Sequence, residues 1–185
     1  IAHLSSDKQN ITKLSQNIIF GITKDRSGAL WLGTMQNAFK FHSEFSEIRF
    51  HSSALKATDR DENSTIWGLA QDSSNDIYFA SQQDGIGKLD RVTGDFDSLS
   101  FDEEIFPGTS YWDVEIDKDG YFWVASSNGL SVYSRIENKL ELLKRYFPGQ
   151  FVDYIYKGNN RVWVWLEDNG LYSLDTSMDT GGSSP

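Results

Sequence analysis

The chain has no cysteine, only 3 prolines in 185 residues, and 17 basic residues against 27 acidic ones. The lack of cysteine excludes disulfides, thiolate catalysis and cysteine-based zinc sites. The net charge of −10, without a cluster of lysine and arginine, argues against binding to nucleic acid or to an anionic membrane surface. No apolar run approaches the roughly 18 residues of a membrane-spanning helix, so we expect no membrane contact within this chain.

Motifs for catalysis and for cofactors are also missing. His3, His42 and His51 show no metal-ligand spacing, and the patterns HExxH, G-x-S-x-G and the phosphate loop do not occur. The segment starting at Asp59 begins like a calcium loop, but it lacks the glycine of the sharp turn and the acidic twelfth residue. The sequence therefore predicts no cofactor, no metal site and no catalytic residue.

The chain does contain many aromatic residues and an internal repeat. Phenylalanine, tryptophan and tyrosine make up 14% of the residues, so a few large side chains can build a core. The segment 25–34, DRSGALWLGT, returns at 72–81 and 117–126, and more weakly at 157–166. Its central aromatics are spaced 47, 45 and 40 residues apart, which indicates an array of like units: Trp31, Tyr78, Trp123 and Trp163. We interpret these four aromatics as core residues.

Each repeat has the pattern of short antiparallel strands joined by tight turns. In the first repeat we predict strands in NIIFGITKD, LWLGT, AFKF and EIRF, and in the second a single fourth strand in DFDSLSF. The first strand of each repeat is apolar or small on both sides, which favours radially stacked blades over a β-sandwich. The predicted fold is all-β. It is a β-propeller with four blades of four-stranded antiparallel sheet, complete or a fragment of a larger propeller.

The predicted repeats span residues 17–64, 65–109, 110–149 and 150–175, and residues 176–185 are predicted to be a disordered tail. The fourth repeat lacks a fourth strand, while residues 1–16 contain additional strand-like sequence that completes the last blade in one interpretation. In a second interpretation the four blades are cut from a larger ring, and in a third two chains pair into one ring.

The repeat resembles the two-component regulator propeller family. The matching segments cover about residues 17–175 and read ITKDRSGALWLGT, IWGLAQDSSNDIYFAS, VEIDKDGYFWVASSNGL and RVWVWLEDNGL. The fourth repeat departs from the pattern, with Lys157 for the turn aspartate and Trp165 for the glycine, which suggests an end blade or a remodelled face. The resemblance implies a periplasmic or extracellular propeller in the input region of a bacterial membrane sensor. Its kinase, diguanylate cyclase or DNA-binding output domain then lies outside this chain.

Candidate binding residues occur where the repeats stop agreeing. Phe20, Trp67 and Trp112 recur near the start of the innermost strand, where they either stack on a ring-shaped ligand or pack between blades. The loops between second and third strands are predicted to open on the same face of the propeller. They carry amides and carboxylates that suit a small polar ligand or a saccharide, although ordinary turn chemistry also explains them: Asn37, Gln82, Gln83, Asp84, Asn128, Glu167 and Asp168.

Three carboxylates, Asp113, Glu115 and Asp117, alternate along one predicted strand and therefore share one side of it. Like charges repel unless a cation or a basic side chain lies between them. We favour separate exposure to solvent or to a basic partner over a cation site.

The favoured function is a non-catalytic sensory module of a bacterial membrane signalling protein. Its propeller face binds a small polar ligand, such as a saccharide, or contacts other domains of the full-length sensor. The alternatives are a protein-interaction platform without a small-molecule site and, less favoured, a propeller hydrolase or lyase. We also expect that the chain is able to form a homo-oligomer.

Overall fold

The computed structural model describes residues 18–34, 37–42, 47–52, 65–82, 85–90, 96–102 and 109–177. These residues form sixteen strands arranged in four sheets and contain no helix. No segment of the described chain is thus a helix long and apolar enough to cross a membrane. The all-β prediction is confirmed. Residues 1–16, which we considered for ring closure, and the tail after residue 177 lie outside the described residues.

The four sheets follow one another along the chain as blades. Blade 1 is β1 (Gly21–Lys24), β2 (Leu30–Gly33), β3 (Asn37–His42) and β4 (Glu47–Ser52). Blade 2 is β5 (Ile66–Gln71), β6 (Ile77–Ser81), β7 (Gly85–Leu89) and β8 (Phe96–Ser98). The short β9 (Ser100–Phe101) joins blade 3, which is β10 (Tyr111–Ile116), β11 (Phe122–Ser126), β12 (Gly129–Ile136) and β13 (Lys139–Tyr146). Blade 4 is β14 (Val152–Lys157), β15 (Arg161–Leu166) and β16 (Gly170–Asp175).

The first strand of each blade stands beside the first strand of the next. Strand β1 contacts β5, β5 contacts β10, and β10 contacts β14. The apolar cores lie between blades, so that Trp31 packs with Ile66 and Ile77 of blade 2. In the same way Trp123 packs with Ile155 of blade 4. This radial stacking of sheets is the arrangement of a β-propeller.

An aspartate holds the first turn of three blades and also binds the central aromatic. In blade 1, Asp25 Oδ1 accepts hydrogen bonds from the backbone N–H groups of Ser27 (2.9 Å) and Ala29 (3.0 Å), and Oδ2 accepts one from Trp31 Nε1 (3.0 Å). Asp72 repeats the arrangement with Tyr78 Oη (3.1 Å), and Asp117 repeats it with Trp123 Nε1 (2.8 Å). The recurring spacing of six residues therefore joins turn and core in one unit.

The turn also needs a residue in the left-handed region. Gly28 and Gly120 lie there with φ of 86° and 87°, and Asn75 takes the same place in blade 2 with φ of 69°. Asparagine is among the side-chain-bearing residues that best tolerate this conformation. The predicted Asp-Gly turn is thus present in blades 1 and 3, with an asparagine version in blade 2.

The carboxylate of Asp25 is a source of pH-dependent stability. Burial favours its neutral form, but hydrogen bonds from Ser27, Trp31 and Ala29, and Lys40 at 3.3 Å, outweigh burial and hold its pKa well below the usual range. A lowered pKa in the folded state contributes stability that is present above the unfolded value of about 4 and is lost as the pH falls below it.

We therefore expect the chain to lose about 1–3 kcal/mol of unfolding free energy through Asp25 as the pH is lowered from about 5 towards 2. The Asp25→Asn variant is less stable at neutral pH and shows a flatter pH dependence over that range. Urea denaturation at several pH values across this range measures the difference. The control is Asp119→Asn, because the exposed carboxylate of Asp119 pairs with the exposed ammonium group of Lys118. Equal pH dependence of the Asp25 variant and the wild type would contradict this role.

The predicted single fourth strand of blade 2 is wrong. Strand β8 pairs with β7, but the chain then passes Leu99 and β9 runs parallel to β13 at the outer edge of blade 3. Leu99 is buried in the core between the two blades, and Phe101 stacks on Tyr111 with 5.5 Å between ring centroids. Leu99 N–H still donates to Ile86 O of β7 (2.8 Å), whereas Ser100 N–H donates to Asn138 O next to β13 (3.0 Å), so the chain changes partner between these two residues. Blade 3 has five strands as a result, and a strand exchange fastens it to blade 2.

The first turn of blade 4 differs from those of the other blades, but Lys157 does not take the place of the turn aspartate as predicted. Strand register places Lys157 opposite Val162, as the last residue of β14, so it is the equivalent of Ile116 rather than of the turn aspartate. Gly158 takes the aspartate position, because its N–H donates to Arg161 O (2.8 Å) as Asp117 N–H does to Tyr121 O (3.0 Å). The turn is one residue shorter. The expectation that Trp163 is a core residue is also wrong, since it is 40% exposed.

Candidate functional site

One aromatic side chain from each blade lies where the first strand of the blade begins, close to the propeller axis. The ring of Trp67 lies 4.2 Å from that of Phe20 and 4.9 Å from that of Trp112, and Trp112 lies 5.2 Å from Phe151. We call these four residues the aromatic row. All four are half-buried. They pack between blades, as one of our two interpretations had it, and each keeps part of its surface open to solvent.

Local backbone irregularity positions the two tryptophans. The register of β5 with β6 shifts between Ile66 and Gly68, and that of β10 with β11 shifts between Tyr111 and Asp113. Trp67 and Trp112 are the residues inside these bulges. A bulge leaves one residue out of the ladder and redirects its side chain, and such bulges are frequent next to functional sites.

The indole N–H groups of Trp67 and Trp112 are buried and have no hydrogen-bond partner in the described part of the chain. Leaving a buried donor unpaired costs about 1–3 kcal/mol. The two donors are therefore unsatisfied hydrogen-bonding groups within the aromatic row.

In blade 4 the bulge falls between Val152 and Tyr154, so exposed Asp153 occupies the position of Trp67 and Trp112. Phe151, two residues before Asp153, supplies the blade 4 ring of the aromatic row. Sequence reasoning missed both residues, because alignment on the turn shifted this strand by one residue. The signal in the sequence was the shorter turn of the fourth repeat.

The described residues of the loops that follow the second strands of blades 2, 3 and 4 lie at the same end as the aromatic row. Gln82 N–H donates to Thr65 O (3.3 Å), next to β5, and Ser127 N–H donates to Ser110 O (2.9 Å), next to β10. In blade 4 the side-chain amide of Asn169 donates to Gln150 Oε1 (2.8 Å). The register of the strands thus places these loops around the inner end of the propeller.

The individual loop candidates differ in their placement. Gln82 is half-buried, and Asn128 is half-buried with its backbone N–H donating to Ser126 Oγ (3.2 Å). Glu167 and Asp168 are exposed on blade 4. Asn37 begins β3, but its side chain, together with Gln83 and Asp84, lies outside the described residues. Those three positions remain predictions.

Two of the three alternating carboxylates, Asp113 and Glu115, bind blade 4, whereas Asp117 binds its own turn and Trp123 within blade 3. Asp113 Oδ2 accepts a hydrogen bond from Ile155 N–H (3.0 Å) and Glu115 Oε1 accepts one from Lys157 N–H (3.3 Å). Burial raises the pKa of Asp113 well above its usual range, and it also raises the pKa of Glu115 against the opposing charge of Lys157. The expectation of solvent exposure is wrong for the buried Asp113 and Asp117, whereas Glu115 has the basic partner we expected.

Asp113 and Glu115 fasten β14 to β10. Lys157 Nζ completes the contact by donating to Ile116 O (2.6 Å). Among the described residues no group of three histidine, aspartate or glutamate side chains is arranged to hold a metal ion. The polar contact between blades 3 and 4 is structural.

Comparison with protein families gives one match. The family described as two component regulator propeller matches residues 13–36. The resemblance seen in the repeats is confirmed. A search of curated proteins found no match.

Solved propeller structures resemble the whole four-blade array. The extracellular domain of one hybrid two component system of B. thetaiotaomicron shares 15% identity at a TM-score of 0.71, over 95% of this chain and 23% of its own. A second such domain shares 16% identity at a TM-score of 0.67, over 89% of this chain and 22% of its own. The chain thus spans less than a quarter of these two domains, which fits a fragment of a larger propeller.

The similarity is not restricted to sensors. A virginiamycin B lyase from Staphylococcus aureus, solved as a catalytically inactive variant with quinupristin, shares 15% identity at a TM-score of 0.58. The match covers 87% of this chain and 56% of the lyase. At this identity the likeness establishes the propeller fold and carries no activity over.

Proposed function

We propose that the chain is part of the extracytoplasmic sensor propeller of a bacterial two-component signalling protein, and that the aromatic row binds a small polar ligand such as a saccharide. The observation that carries the proposal is the pair of buried, unpaired indole N–H groups of Trp67 and Trp112. The family match and the two solved sensor domains support the cellular role.

The chemistry of the aromatic row suits a sugar ring. Aromatic faces stack on the apolar C–H face of a pyranose, while the indole donors bind its hydroxyl or ring oxygens. Gln82 and Asn128 add amide groups at the rim, and Asp153 adds an acceptor at the blade 4 end of the row. A ligand held here contacts several blades at once.

Contact with several blades allows ligand binding to change the arrangement of the blades and so to produce a signal. The four rings come from four successive blades, so a ligand that touches them favours one relative arrangement of the blades. A ligand shifts a conformational equilibrium only by its difference in affinity for the two arrangements. The relative arrangement of the blades then controls the activity of another domain in the longer protein.

Binding is tested by a thermal-shift screen of neutral mono- and oligosaccharides, followed by calorimetry with the best ligand. We expect Trp67→Phe and Trp112→Phe to weaken binding about tenfold each, because each removes one donor and keeps an aromatic ring. The matched control is Trp163→Phe, because the exposed indole of Trp163 lies near Gly158, at the opposite end of β14 from Phe151. Full affinity in both tryptophan variants, or no thermal shift with any sugar, would overturn the saccharide site.

A further inference from the structure

The first strands of successive blades meet near the axis in two different ways. Blades 1 and 2, and blades 2 and 3, meet through a glycine. A Cβ on Gly21 would lie 2.6 Å from Trp67 O, and a Cβ on Gly68 would lie 2.7 Å from Asp113 Cα. Strand register places Asp113 on β10 at the position of these two glycines. Blade 3 therefore meets blade 4 through a carboxyl group instead of through a bare backbone.

The carboxyl group of Asp113 lies between three first strands. Its Oδ2 accepts a hydrogen bond from Ile155 N–H of β14 (3.0 Å), and its Oδ1 accepts one from Val114 N–H of β10 (2.9 Å). On the side of β5, a Cβ on Gly68 would overlap Oδ1. Asp113 is only 7% exposed. Movement of blade 4 away from blade 3 would break the bond to Ile155 and admit water to the carboxyl group.

The charges around Asp113 do not offset a negative charge on it. Its hydrogen bonds within the described chain come from backbone N–H groups and not from a basic side chain. Lys157 is the basic residue of β14, and its ammonium group donates to Ile116 O (2.6 Å) at the other end of β10. The charged groups that act most strongly on Asp113 are two further carboxylates, Glu115 on β10 and Asp153 on β14.

The other strands that pack on β10 supply no cation to Asp113 either. Strands β5 and β11 contain no titratable residue. On the blade 2 side of β10, the Tyr78 hydroxyl donates to Asp72 (3.1 Å), and Lys88 pairs with Asp76 (2.6 Å). Tyr154 of β14 is neutral at ordinary pH, because burial and the nearby carboxylates raise the pKa of its hydroxyl.

We propose that the contact between blades 3 and 4 is a pH-sensitive joint, which is closed while the carboxyl group of Asp113 is neutral and opens more often once that group is ionised. A buried carboxylate without a basic partner is unfavourable, and opening of the joint restores its hydration. Trp112 of blade 3 and Phe151 of blade 4 lie 5.2 Å apart in the aromatic row, so opening also separates these two rings. The joint does not depend on a bound ligand.

The pH dependence of this joint is opposite in sign to that of Asp25. In the open joint Asp113 is in water, where the pKa of an aspartate is about 3.9. In the closed joint burial raises its pKa well above that value and outweighs the hydrogen bonds from Ile155 and Val114, and the charges of Glu115 and Asp153 act in the same direction as burial. The closed state is therefore fully stabilised below about pH 4, and this stabilisation is lost as the pH rises to the raised pKa. Over that range the equilibrium constant for opening increases about tenfold per pH unit.

Amide hydrogen exchange measures opening of the joint directly, because Ile155 N–H is one of its hydrogen bonds. The exchange rate of β14 is divided by that of an unstructured peptide at the same pH, and the resulting protection is compared with that of β6 in blade 2. This ratio removes the effect of pH on exchange chemistry and on global unfolding. We expect the protection of β14 relative to β6 to fall at least about tenfold between about pH 5 and about pH 8.

The decisive variant is Asp113→Asn. Asparagine has nearly the shape of a protonated aspartic acid, keeps an acceptor for Ile155 N–H and carries no charge. We expect this variant to lose the fall in protection and to protect β14 better than the wild type at pH 8. Asp119→Asn is the matched control, since it makes the same change of charge at an exposed carboxylate that pairs with exposed Lys118, and we expect it to reproduce the wild-type curve.

Glu115 is the other carboxyl group whose pKa is raised by burial in this contact. Glu115→Gln keeps an acceptor for Lys157 N–H, and we expect it to retain most of the fall in protection. A fall that disappears in Glu115→Gln and persists in Asp113→Asn overturns the assignment to Asp113. A wild-type ratio that does not change with pH overturns the joint itself. An Asp113→Asn variant that is unfolded, or less protected than the wild type at pH 8, also overturns it, because the ionised carboxylate would then hold the blades together.

Discussion

Trp123→Ala is expected to lower the free energy of unfolding by about 3–5 kcal/mol, the range for deleting a buried tryptophan. The side chain is fully buried among Val152, Ile155 and other residues of blade 4. Its indole N–H donates to Asp117 at 2.8 Å. Removal therefore opens a cavity between blades 3 and 4 and leaves a carboxylate oxygen without its partner. Urea denaturation measures the loss as a lower midpoint at unchanged slope.

Two further variants divide this effect into its parts. Trp123→Phe keeps most of the packing and removes the donor, so it should cost about 1–3 kcal/mol. Trp163→Ala, at the equivalent exposed position in blade 4, should cost less than about 1 kcal/mol. A loss at Trp163 as large as that at Trp123 would contradict the exposed position of the Trp163 side chain.

The sequence predicted the architecture because the repeat is carried by local chemistry. Asp25, Gly28 and Trp31 recur at fixed spacing, and the structure shows why, since one carboxylate binds both the turn and the indole. A turn and a core residue that bind each other cannot vary in spacing. The period and the number of blades could therefore be read from the aromatics alone.

What the sequence did not reveal depends on contacts between distant segments. The exchange of β9 into blade 3 places Leu99 in a core that blades 2 and 3 build together. The burial of Asp113 is decided by blade 4, whose backbone N–H at Ile155 takes the carboxylate as acceptor. A pattern of alternating acids in one strand looks the same whether it faces water or a neighbouring sheet.

The candidate site was likewise predicted in part from local repetition and missed where the repeat is irregular. Trp67 and Trp112 were predicted from their recurrence near the start of the first strand, and the structure joins them in one row with Phe20. Asp153 and Phe151 were missed because a turn shortened by one residue moved blade 4 out of the alignment. Local repetition thus predicts which blades contribute aromatics, and only strand register shows which residue of an irregular blade takes the equivalent place.

Gly68→Ala is expected to destabilise the chain by about 3 kcal/mol through overpacking. A Cβ at Gly68 would lie 2.7 Å from Asp113 Cα and 2.9 Å from Val114 N, both backbone atoms of the neighbouring innermost strand. Backbone in the middle of a packed sheet cannot shift locally, so blades 2 and 3 must separate. Because Gly68 has no positive φ, alanine would otherwise stabilise by reducing the entropy of the unfolded chain, and the steric term outweighs that gain of about 0.4–1 kcal/mol.

The matched control is Gly158→Ala, where the nearest atom to the new Cβ is Arg161 O at 3.3 Å, and the expected change is within about 0.5 kcal/mol. Separation of blades 2 and 3 also has a spectroscopic signature. Trp67 adjoins Gly68 and lies 4.9 Å from Trp112, so the near-UV circular dichroism of this tryptophan pair should weaken in Gly68→Ala and not in Gly158→Ala. A Gly68→Ala protein with native stability and an unchanged tryptophan signal would show that the blades tolerate a wider spacing, and the close approach of β5 and β10 would then not be what holds the aromatic row together.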